Sequence, residues 1–114
     1  MTLPVDFSSD RLPGRPSPGK LPFVKTFEIY VTNEEQVLVY IAQFEGLYAF
    51  GYRVFHFGAR SFDVPPNPEF GLFRTEALAE GYALQLIYEK AYLSDIARKA
   101  VLEKIMPLAQ LELF

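Results

Sequence analysis

From Phe23 to Phe57 apolar residues in this chain recur at about every second position, and from Thr75 onward at helical spacing. Strands therefore come first and helices second. That order suits an α+β domain: a three- or four-stranded antiparallel meander followed by two helices packed on one face. The first strand begins at Phe23, where Phe23, Phe27, Ile29 and Val31 alternate with Val24, Thr26, Glu28 and Tyr30. Thr32-Asn33-Glu34-Glu35 then supplies turn chemistry. The run 36–44 has two readings. Asn33 and Gln36 have the spacing of a helix capping box, whereas Val37, Val39, Tyr40 and Ile41 favour a strand. We take it as a strand.

Glu45-Gly46 turns the chain into a third strand, Leu47 to Phe57. Tyr48, Phe50, Tyr52, Val54 and His56 fall on one face and Ala49, Gly51, Arg53, Phe55 and Phe57 on the other, so both faces carry aromatic rings. Gly51 is expected at a bend or bulge. Residues 58–67 read as loop and 69–73 as a short fourth strand. Thr75 has the character of an N-cap, with Glu76 in the first turn where a negative charge suits the helix dipole. Residues 76–93 carry an apolar face through Leu78, Tyr82, Leu84, Leu86, Ile87, Tyr88 and Ala91, and Gly81 implies close packing on the sheet. Ser94 or Asp95 caps a second helix, to about residue 106, with Ile96, Ala97, Ala100, Val101 and Ile105 inward. Pro107, which donates no backbone hydrogen bond, is expected to end it.

The flanks differ from this middle part. Residues 1–22 hold Pro4, Pro13, Pro16, Pro18 and Pro22 and are expected to form a disordered, flexible, unpaired arm. The expected division is thus an arm over 1–22, one α+β domain over 23–106, and a tail over 107–114. The tail ends Gln110-Leu111-Glu112-Leu113-Phe114. Chain ends fray unless tied down, so Leu111, Leu113 and Phe114 either dock on the domain or serve a partner.

These five residues resemble the sliding-clamp-binding peptide of bacterial DNA polymerases and repair proteins, whose consensus reads Gln-Leu-Ser/Asp-Leu-Phe. Glu112 departs from it at the tolerant middle position. The resemblance implies that Gln110 hydrogen-bonds at the rim of a clamp pocket, that Leu113 and Phe114 fill it, and that Leu111 makes a shallower apolar contact. Residues 48–86 also loosely resemble small proteins of bacterial mobile elements, a likeness that transfers no residue.

Composition narrows the alternatives. With a net charge of −3 the chain has no general attraction for nucleic acid. The absence of cysteine removes disulfides, thiolate metal sites and cysteine nucleophiles. The first residues lack the basic and apolar segments of a signal peptide, and no stretch approaches a membrane span, so the expected location is cytoplasmic. The one histidine, His56, lies on an aromatic strand and reads as structural, and the acidic residues are spread along turns and helix faces. Catalysis, cofactors and metals are not expected.

The leading expectation is a non-enzymatic accessory protein of bacterial or phage DNA metabolism that binds the sliding clamp through Gln110, Leu111, Leu113 and Phe114. A second reading is a single-stranded nucleic-acid-binding module. Its sheet would stack bases on Tyr30, Tyr40 and Tyr52 beside Arg53, if their face is left uncovered. A third is a small homodimeric interaction or regulatory protein, with the second apolar face buried between copies. Dimerisation would present two tails to a ring-shaped clamp.

Overall fold

Strand pairing follows chain order. β1 (Lys25–Val31), β2 (Glu35–Phe44), β3 (Leu47–His56) and β4 (Phe62–Val64) form one antiparallel sheet. α1 (Glu76–Lys90) lies over β2 and β3, and α2 (Asp95–Leu113) lies over β1 and against α1. The computed structural model describes residues 6–19, 21, 24–58 and 61–113, with side chains as far as Leu108. The fold is thus the α+β meander expected, with 36–44 a strand. Phe23 lies outside the described residues.

Local chemistry sets the turns. Thr32 Oγ1 accepts hydrogen bonds from the amides of Glu34 (3.2 Å) and Glu35 (3.0 Å), closing the β1–β2 connection. Glu45 and Gly46 both have positive φ, 52° and 81°, the geometry whose twist matches a two-residue hairpin.

Because paired residues share a face, the register assigns each side chain. Phe27, Val39, Tyr52 and Val64 form one row across all four strands on the helix side, and Glu28, Leu38, Arg53 and Asp63 form a row on the other. The helix-side core is completed by Phe50, Val54, Phe73, Leu84 and Ile87, all buried. A smaller cluster on the opposite face joins Leu21, Ala42, Ala49 and Leu72.

Several expectations are corrected. The fourth strand is Phe62–Val64, inside the stretch read as loop. Residues 69–73 are not a continuous strand: Pro68–Phe70 is a 3-10 turn capped by Asn67, whose side chain accepts from the Glu69 amide at 2.9 Å, and only Leu72 and Phe73 make isolated antiparallel bridges, to Leu12 and Tyr48. Pro68 donates no ladder hydrogen bond and fixes the φ that starts the turn. Gly51 sits in unbroken register; a β-carbon there would lie 2.3 Å from the Val64 carbonyl oxygen, so close backbone approach, not a bulge, requires glycine. The irregularity falls in β1 between Glu28 and Tyr30, which turns Tyr30 to the helix side and leaves Val31 exposed.

The N-terminal segment departs most. Residues 6–19 are not the unpaired arm expected; residues 1–5, 20 and 22 of that range lie outside the described residues. Phe7 is 3% exposed and its amide donates to Gln85 Oε1 at 2.7 Å. Leu12 pairs with Leu72, and the Arg15 amide donates to the Pro68 carbonyl at 3.0 Å. Apart from one 3-10 turn, Ser8–Asp10, and the Leu12 bridge, the described part of the segment has no regular structure; the buried Phe7 and the partly buried Leu12 are apolar anchors that fasten it as a strap across the domain.

Two further corrections concern α2. Ile96, expected inward, is 67% exposed, because Ala97, Val101 and Ile105, four residues apart, define the buried face. The helix also does not end at Pro107 but runs on to Leu113. Apart from Ile105, residues 102–106 and 108–113 are strong helix formers, and Leu108 packs against the core, which offsets the one hydrogen bond that proline removes. No helix among the described residues is long and apolar enough to cross a membrane.

Candidate functional site

α2 delivers the residues singled out at the C-terminal end, and its own start is firmly fixed. Ser94 Oγ accepts from the Ala97 amide at 3.2 Å as N-cap. The buried Glu35 carboxylate at the head of β2 accepts from both the Ser94 amide (2.9 Å) and the Ser94 hydroxyl. A strand carboxylate therefore holds the helix by its N-terminus, where negative charge is favoured. From there Ala97, Val101 and Ile105 are fully buried and Leu108 is half-buried. Gln110, Leu111 and Leu113 follow on helical backbone; their side chains, and Phe114 altogether, lie outside what is described.

The four residues considered for base stacking are not brought together. Tyr30 and Tyr52 pack against the helix-side core, whereas Tyr40 and Arg53 lie on the other face. That face is covered at one end by Leu12 and Leu21 and open around Leu38, Tyr40, Arg53 and Phe55. Its polar groups are tied to one another. Asp63 accepts from the Tyr40 hydroxyl (3.1 Å) and from Arg53 Nη1 (3.3 Å), and Arg53 Nε donates to Gln36 Oε1 (3.3 Å). Burial, and then the hydrogen bond to Asp63, raise the Tyr40 phenol above its ordinary range.

His56 lies at the end of β3. Its Nδ1 lies 3.0 Å from the Phe57 carbonyl, its Nε2 lies 4.0 Å from Glu35, and its ring meets Tyr92 edge-on at 5.1 Å. Ser94 donates to Glu35 rather than to His56, so the three do not form a nucleophile–base pair. Among the described residues no group of three or more His, Asp or Glu stands close enough to hold a metal.

Sequence reading missed a cleft of about 400 Å³ between α1 and the β3–β4 side of the sheet. Phe50, Tyr52, Phe70 and Tyr82 wall it, with Arg11, Glu69 and Lys90 at its rim. Arg11 is the least foreseeable member, since it reaches the site only because the strap docks. Its Nη1 donates to the Tyr82 hydroxyl at 3.1 Å across a sequence separation of 71.

Comparison of the chain with protein-family models, curated proteins and solved structures returns no match.

Proposed function

We propose that the protein is a non-enzymatic accessory factor of DNA metabolism that docks on a bacterial-type sliding clamp through Gln110, Leu111, Leu113 and Phe114. The observation that carries this reading is the Gln-Leu-Glu-Leu-Phe pattern at 110–114. Leu113 and Phe114 enter the clamp pocket, Gln110 bonds at its rim and Leu111 adds a shallow contact. Three large apolar side chains contribute roughly 1.5–3 kcal/mol each on burial. Ordering and association costs remove much of that, leaving affinity of about micromolar.

Pro107 gives the segment a further property. Its missing N–H leaves the Glu103 carbonyl without an intrahelical donor, so the turns beyond it are joined to α2 less firmly than the turns before. The tail can rearrange to fit a pocket while Ala97, Val101 and Ile105 hold the rest of the helix.

Competition tests the reading. A synthetic peptide of residues 108–114 is expected to displace the intact chain from an immobilised clamp, and the same peptide carrying Leu113→Ala and Phe114→Ala is not. Binding that both peptides leave untouched would remove the tail from the interface.

A further inference from the structure

We propose that the cleft between α1 and the β3–β4 side of the sheet binds a small aromatic monocarboxylate, an activity separate from the tail. The wall is aromatic and interlocked: Phe50 meets Phe70 at 6.3 Å and Tyr82 at 5.3 Å between ring centroids. Phe50 and Tyr82 are buried, while Phe70, also lining the cleft, keeps 44% of its surface exposed. An adjoining recess of about 170 Å³ shares Tyr52, Leu86 and Lys90 with the main cleft and lengthens it along α1. At about 400 Å³ the main cleft is within the size range of small-ligand sites, which commonly combine apolar walls with a few placed polar groups.

The rim charges select the ligand. Arg11 is held in place: it donates to the Tyr82 hydroxyl, its guanidinium carbon lies 5.9 Å from the Tyr82 ring centroid, and its stem crosses Gly71. A β-carbon on Gly71 would lie 2.6 Å from Arg11 Cγ, so glycine there leaves the path of the stem open. Lys90, the last residue of α1, has no ion-pair partner among the described residues. With Glu69 also in the lining, two cations and one carboxylate leave a single net positive charge around the cleft. A flat apolar ring bearing one negative charge matches both wall and rim. A phosphate dianion is disfavoured because it would face Glu69 with only one excess cation to balance it.

The full chain titrated with 2-naphthoate, followed by amide NMR shifts, tests this. Binding is expected in fast exchange, with a Kd of about a millimolar for so small a ligand. The shifts should centre on Tyr52, Phe70, Leu86 and Lys90. Lys90→Gln, an exposed change that leaves the fold intact, should weaken naphthoate up to about fivefold. Arg11→Gln should weaken it at least as much, because Arg11 is the ordered cation. Neutral 2-naphthol should bind more weakly than naphthoate and ignore Lys90→Gln. Shifts centred elsewhere, no loss in Lys90→Gln, 2-naphthol binding as tightly as naphthoate, or adenosine monophosphate binding more tightly than it would each overturn the assignment.

Discussion

The Phe7 ring occupies the place of the side chain that Gly81 lacks: a β-carbon on Gly81 would lie 2.5 Å from Phe7 Cε1. One glycine in the middle of α1 thus admits the strap to the domain core. Gly81→Ala is expected to destabilise the protein by about 1–3 kcal/mol, the usual range for overpacking. In a Phe7→Ala background the obstacle is gone. There the same substitution should stabilise by about 0.5–1 kcal/mol, because alanine is the better helix former. Denaturant unfolding of the four members of this cycle measures the change of sign.

Ser94 is both the N-cap of α2 and the ligand of a buried carboxylate. Ser94→Ala removes the cap and leaves Glu35 with one donor fewer, at a cost of about 1–2 kcal/mol. Ser94→Thr keeps both groups and should recover most of it. Thermal unfolding of the two variants separates the cap from a loss of packing.

Two carboxylates titrate with opposite consequences. Burial, with a smaller push from Glu76, raises the Glu80 carboxyl above its ordinary value. The folded state therefore holds that proton more tightly, and stability falls as pH rises from the ordinary carboxylate range through the raised value. Glu80→Gln should raise Tm at neutral pH and change nothing at about pH 3. Asp6 is the reverse case. Hydrogen bonds from the Ser8 hydroxyl, Gln85 and the Ser8 amide lower its value, so its contribution is present above the ordinary range and lost as pH falls through the folded value. Asp6→Asn should lower Tm at neutral pH, and the difference should close in acid.

Tyr40 reports on the open face of the sheet. Asp63→Asn removes the smaller cause of its raised phenol value and leaves burial, the larger one. Ultraviolet titration should show Tyr40 ionising at lower pH in this variant, yet still above an ordinary tyrosine.

What was legible in the sequence was local. The change of period gave the order of strands and helices, Thr75 accepted the Leu78 amide as an N-cap should (3.1 Å), and Leu78, Tyr82, Leu84, Ile87 and Tyr88 proved buried. What escaped was set by distance along the chain. Phe7 meets Gln85 across 78 residues, so the strap looked like a proline-rich arm. The three-residue β4 has no periodicity to read and exists because β3 offers an edge to Phe62–Val64. The cleft escaped for both reasons, since Arg11 comes from the strap and Phe70 from a turn read as strand. The motif at 110–114 was legible as a pattern of residue types, but its helical backbone, carried past Pro107, was not.

Pro107→Ala restores a donor to the Glu103 carbonyl. It should increase helicity at 222 nm and stabilise the end of α2 by about 1–3 kcal/mol. If the tail rearranges on binding, the same change weakens clamp affinity. An affinity that rises with helicity would instead mean the tail binds as a helix.

Calorimetric titration of a bacterial sliding clamp, with the intact chain and with one lacking Leu113 and Phe114, tests the central claim most directly. Binding near micromolar is expected from the intact chain. Truncation should abolish it while circular dichroism and Tm stay unchanged. No binding by the intact chain, equal binding by the truncated one, or a truncated chain that unfolds would contradict the proposal and make the tail part of the fold or idle.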